Sequence, residues 1–196
     1  MPAIPEHFLA AGRAISIADE ADPVCASTCD EQAQLRQLNR EFLNLIVDPA
    51  GHMPFGLRQP GVQALASVTA TALDALAACP YALFALPDCF GGARGDAPPG
   101  VLRFANAAWF YAWHLARQAP SCLPLWLGVD PERARRLQRL SVCQVSARAF
   151  ALAAGIAARG AQQSRLWEEM ARCAQCGDHQ RLRFAQLWLW QVSLAH

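Results

Sequence analysis

Two helix starts written almost back to back constrain this chain more than anything else in it. Asp130-Pro131-Glu132 sets a favoured N-cap, a residue suited to the first helical position and a carboxylate that complements the positive end of the helix dipole side by side. Ser141 and Gln144 have the spacing of a capping box, so a second helix begins about where the first must end. Between them Ala134 and Leu137 mark an inward face, with Arg135, Arg136 and Arg139 clustered opposite. Two short helices joined by a tight turn is the helix-turn-helix arrangement, found in DNA-binding proteins and in many others.

The rest of the chain asks for the same architecture. Its hydrophobic fraction of 54% is carried largely by Ala and Leu, strong helix formers, while Val, Ile and Tyr are sparse. An all-α fold is therefore expected. Helical spacing of apolar residues predicts helices over Pro5–Ala18 (Phe8, Ala11, Ile15), Asp30–Val47 (Leu35, Leu38, Phe42, Leu45, Ile46) and Pro60–Cys79. Cys25 to Cys29 reads as a linker. Tyr81–Leu86 is short and apolar with no partner strand in view, so helix is the expectation. The stretch 101–118 is apolar nearly all round, which places it in a core or between partners. Further helices are expected from Ser141 to Gly155 or Gly160, over Ser164–Ala174, and over His179–Ala195 after a stop at Gly177 and a cap at Asp178.

Charge divides the chain in two. Residues 1–100 hold five Arg against eleven Asp and Glu, and residues 101–196 hold twelve Arg against five. The boundary is the Gly- and Pro-rich stretch 89–100, which reads as a linker between an acidic helical subdomain, 1–88, and a basic one, 101–196. The two halves can neutralise each other, or the basic one can face an acidic partner or nucleic acid. All 17 basic residues are Arg, a bias that suits a GC-rich bacterial genome.

Over residues 104–150 the chain resembles FlhD, one subunit of the flagellar master transcriptional activator. Leu127-Gly128-Val129, Glu132, Ala134, Leu137, Leu140, Ser141 and Gln144 follow its Leu-Gly-Ile…Glu…Ala…Leu…Leu-Thr…Gln segment without a gap. Upstream, Asn106 and the apolar run around it are similar to its leading helix, displaced by about one residue. The resemblance implies an all-helical, dimerising subunit that acts in transcription through protein partners and DNA. The acidic N-terminal half and the Trp-rich last helix depart from that family, and the four-Cys zinc site of the partner subunit FlhC is missing.

Chemistry is less legible. Every His stands apart from Cys, Ser or carboxylate in any recognisable motif, and the acidic residues fall at helix starts or on solvated faces, so no catalytic residues are assigned and a non-enzymatic protein is expected. No cofactor is implied. Cys173, Cys176 and His179 form the one metal-like cluster; Cys-x2-Cys is half of a zinc site and no second pair completes it. The function expected is a helical regulatory subunit, transcription-related, acting through a protein partner or a homo-oligomer, with nucleic acid as a further partner. An adaptor without DNA binding is the alternative, and a metal-binding protein using the Cys173 cluster the third. Arg133, Arg135, Arg136 and Arg139 are the candidates for binding phosphate or an acidic partner. Trp109, Trp113, Trp188 and Trp190 are the interface candidates, since aromatics bury most area. Eight Cys, a first segment without a basic flank before an apolar core, and no apolar run of spanning length point to reduced thiols, a cytoplasmic location and no membrane.

Overall fold

The first helix, α1 (Pro23–Val47), opens the computed structural model, which describes residues 23–48, 55–88 and 96–194. Its start at Pro23 absorbs Cys25–Cys29, expected as a linker: proline is tolerated in a first helical turn, where no intrahelical partner awaits its missing N–H. Leu35, Leu38, Phe42, Leu43 and Ile46 turn inward at the spacing of one helix face. The helix expected over Pro5–Ala18 lies outside the described residues.

The stretch Pro60–Cys79, expected as one helix, is two: α2 (Gln59–Ala66) and α3 (Ala70–Ala77). Ser67 Oγ donates to the Ala64 carbonyl at 2.7 Å, and Thr69 Oγ1 accepts the Ala72 N–H at 3.2 Å. Side-chain oxygens thus end one helix and cap the next where the backbone ladder would have continued. Tyr81–Leu86, expected as helix, carries instead β1 (Phe84–Ala85), antiparallel to β2 (Ala157–Ala158), with Phe84 opposite Ala158. Two alanines carry no strand preference, so nothing in the sequence marks them as a partner.

The long apolar stretch becomes α4 (Pro99–Gln118). α1 packs on it, as do α5 (Cys122–Leu127), α6 (Pro131–Gln138) and α7 (Val142–Leu152), the last running into a 3-10 turn over Ala153–Gly155. α8 (Ser164–Gln175) packs on α2 and α3, and α9 (His179–Leu194) packs on α8. With nine α-helices and one two-stranded sheet among the described residues, the fold is all-α.

The core is centred on Phe42, whose ring centroid lies 4.9 Å from that of Phe55, 5.7 Å from Phe84 and 5.6 Å from Phe104. Tilted aromatic pairs of this kind add roughly 0.5–1.5 kcal/mol each beyond the area they bury. Residues before position 89 and after position 100 share this buried cluster; residues 89–95 between them lie outside the described residues.

One polar side chain holds the cluster's edge. Asn39, fully buried on α1, turns its Nδ2 toward the carbonyls of Ala77, Cys79 and Tyr81, at 3.4, 3.2 and 2.9 Å. Its Oδ1 accepts the Leu83 N–H at 2.9 Å. One side chain thereby serves the turn out of α3, and the carbonyls left over at that helix end find a donor. Asn39→Ala leaves these groups buried and unpaired, so we expect it to lower the unfolding free energy by about 3 kcal/mol. Urea denaturation at unchanged slope checks this, and a loss below about 1 kcal/mol would contradict it.

Candidate functional site

The opening motif folds as its capping residues require. α5 ends at Gly128 in the left-handed region, φ 59°, and its N–H bonds the Leu123 carbonyl. The positive φ disfavours any L side chain there, and a Cβ on Gly128 would in addition sit 2.9 Å from Nη1 of Arg159 and push that guanidinium aside. Arg159 is itself buried, which pulls its guanidinium down to about 10, while burial pushes the neighbouring Cys79 thiol up to about 11. Asp130 Oδ1 accepts the N–H groups of Glu132 and Arg133, both at 2.9 Å. Ser141 and Gln144 close the capping box from both sides, at 3.3 and 2.9 Å.

The four arginines of α6 do not form one open face. Arg133 is half-buried and donates to the carbonyls of Leu86 and Pro87, at 3.3 and 2.8 Å, clamping α6 to the end of the β1 segment. Arg136 pairs with Glu132 one turn back. Arg135 is exposed and donates its Nε to the Pro131 carbonyl at 3.3 Å, and Arg139 is exposed at the end of the helix. On α7, where a DNA-reading helix would carry its donors, Val142 and Phe150 are the large exposed side chains and the Gln144 amide is used in the cap.

The metal-like cluster does not assemble. Cys173 is buried, its Sγ 3.4 Å from Glu169 Oε1, and Cys176 and His179 are exposed. Among the described residues no group of three His, Cys, Asp or Glu is placed to hold a metal ion. Cys173 faces the core because it falls on the inward face of α8 with Trp167, Met170 and Ala174.

The four tryptophans expected at an interface take four different roles. Trp109 is 1% exposed in the core and has no surface to offer a partner. Trp113 is half-buried: its Nε1 donates to the Leu140 carbonyl at 2.9 Å, and the Arg117 guanidinium lies 4.8 Å over its ring. Trp190 donates to the Leu125 carbonyl at 2.8 Å and stacks on Tyr81, pinning α9 to α5. Trp188 remains, 60% exposed. It belongs to an outward stripe on α9: Phe184, one turn before it, is 65% exposed, and the adjacent Leu187 39%. The opposite face of α9 carries Leu182, Ala185, Gln186 and Leu189 into the core, with Gln186 Nε2 donating to the Leu76 carbonyl at 3.3 Å. α9 is thus apolar on two faces, and a basin of about 500 Å³ lies along the outer one, lined by His179, Gln180, Arg183, Phe184 and Leu187. Apolar residues on both faces of the last helix are the signal available in the sequence.

A second groove, about 410 Å³, runs along the α1–α4 seam between Gln34, Gln37 and Glu41 on one side and Phe110, Trp113 and His114 on the other. At its end His114 Nε2 lies 3.9 Å from the buried Glu31 carboxylate, and Glu31 Oε2 has no hydrogen-bond partner. His114 is exposed.

The chain matches no known protein family, and searches of curated proteins and of solved structures find no match either. Among the described residues no helix is long and apolar enough to cross a membrane. The class defined here is an all-α protein whose outward feature is an apolar helix face.

The Asp130 cap carries a pH signature. The N–H of Arg133, with that of Glu132, holds the Asp130 carboxyl below the usual carboxylate range. A carboxyl lowered only in the folded chain stabilises it fully above that range, and the gain is lost as pH falls through the lowered value. Asp130→Ala is expected to cost about 1 kcal/mol near neutral pH, with the gap to wild type closing in strong acid. Denaturation of both proteins at the two pH values checks this; a gap that persists in acid would contradict it.

Proposed function

We propose that this chain is a non-enzymatic helical regulatory subunit that works by binding a protein partner. The observation that carries this is the outward stripe of Phe184, Leu187 and Trp188 on α9, beside a helix face already committed to the core. Exposed aromatics in line on one helix face are what helix-in-groove recognition uses as anchors. The FlhD resemblance over 104–150 favours a role in transcription. Protein rather than DNA is the favoured partner, because Arg133 and Arg136 are engaged within the chain and α7 turns Val142 and Phe150 outward.

The test is affinity capture from an extract of the source cells with wild type and Trp188→Glu side by side. Loss of an anchoring Trp costs about 2 kcal/mol or more, so a roughly thirtyfold or greater loss of affinity for the same retained protein is expected. Equal retention by both proteins would contradict the reading.

A further inference from the structure

The groove along the α1–α4 seam ends on a buried acid that the fold leaves without a bonded partner. Glu31 is 3% exposed, and Oε2 of its carboxylate accepts no hydrogen bond. Among the described residues the one basic group within ion-pairing distance is the His114 imidazole, whose Nε2 stands 3.9 Å from Oε1, too far for a hydrogen bond. A buried carboxylate is favourable only where a cation or hydrogen-bond donors replace its water. Tyr111 Oη on α4 donates to the Glu31 carbonyl at 2.9 Å, so the turn of α1 that carries the acid is tied in place at the groove's end.

The rest of the groove has the chemistry of an organic cation's site. Glu31, Gln34 and Glu41 follow one stripe of α1 at the spacing i, i+3, i+10. The two carboxylates therefore stand roughly 15 Å apart along the helix axis, one toward each end of the groove, with amide oxygens between them. Gln37 Nε2 donates to Glu41 Oε1 at 3.1 Å and steadies the second acid. Across the groove, on α4, the rings of Phe110 and Trp113 meet at 86° with centroids 6.1 Å apart, a corner of two aromatic surfaces. Trp113 already holds one cation, the Arg117 guanidinium 4.8 Å from its ring centroid. Among the described residues no arginine lines the groove itself; Arg103 lies beyond Glu41, in the next hollow along the seam. A bare metal ion is a poor occupant, because no group of three ligands is gathered among the described residues. A long molecule suits about 410 Å³ between two acids better, with N–H donors spaced along an alkyl body.

We propose that this groove binds a linear polyamine. One terminal ammonium donates to Glu31 Oε2, displacing the exposed His114 imidazole from beside the acid. The alkyl chain lies over Phe110 and Trp113, and a further ammonium reaches Glu41. The site shares no residue with the α9 stripe and stands independently of the protein partner proposed for it.

Isothermal titration calorimetry of the full chain with spermidine, at low ionic strength, tests this. Saturable one-to-one binding is expected, weakened at least tenfold by Glu31→Gln and severalfold by Glu41→Gln. Glu31→Gln removes a buried charge without changing shape, so it should melt no lower than wild type, which separates loss of the site from loss of the fold. His114→Ala removes the base that approaches Glu31 and should leave binding as tight as in wild type or tighter. Butylamine, with a single ammonium on an alkyl chain, should bind at least tenfold more weakly than spermidine. The proposal is overturned by the absence of saturable spermidine binding, by binding that Glu31→Gln leaves intact, or by butylamine binding as tightly as spermidine. If Glu31→Gln melts lower than wild type, the Glu41→Gln and butylamine comparisons decide: full spermidine affinity in the first, or equal affinity in the second, overturns it.

Discussion

The Asn39 amide is the interaction on which the rest of this fold depends. α3 ends at Ala77 and the chain must turn through the buried Cys79 and the half-buried Tyr81 to reach β1, where unpaired buried carbonyls cost about 1–3 kcal/mol each. One side chain meets both needs of the turn: Nδ2 faces three carbonyls and Oδ1 takes the Leu83 N–H. Because donor and acceptor are both used, the amide has one usable orientation and α1 one usable rotation. Leu83 then passes the order on, its carbonyl accepting the Arg159 N–H at 2.9 Å, while Ala158 N–H bonds the Phe55 carbonyl at 2.7 Å. The brief β1–β2 pairing is the product of this relay more than of any strand preference in its alanines.

From that edge a series of polar ties sets the later helices in place. Arg159, delivered by β2, fills the space that Gly128 leaves at the end of α5, and Trp167 donates to the Arg159 carbonyl at 3.1 Å. α8 is thus tied to the same strand, and α9 is tied to α3 through Gln186 and to α5 through Trp190. These polar ties fix which face of α9 enters the core. The face left over carries Phe184, Leu187 and Trp188, so the interaction surface follows from how the core is closed.

What the sequence made legible was local. The caps at Asp130, Ser141 and Asp178 act within three residues and stand as read, as does the burial of the α4 stripe. What it hid was long-range. Phe84 and Ala158 are too far apart, and Ala157–Ala158 too featureless, for a pairing to be inferred from either. The break between α2 and α3 rests on two hydroxyls whose roles are common in helices that do not break. At the candidate site Trp188 is one of four interface candidates in the sequence, alongside Trp109, Trp113 and Trp190. Only packing separates a core tryptophan from a pinned one and an open one. The arginines of α6 teach the same lesson, since a helical wheel groups them and cannot show that Arg133 is drawn to the Leu86 and Pro87 carbonyls.

The claim that the Asn39 turn and the short sheet form one cooperative unit with the core is tested most directly by amide hydrogen exchange, resolved by residue. The account predicts that the Leu83 and Arg159 amides exchange only on global unfolding, with opening free energies within about 1 kcal/mol of those in the middle of α4. Exchange of these two amides through a local opening several kcal/mol cheaper, while α4 stays protected, would contradict it.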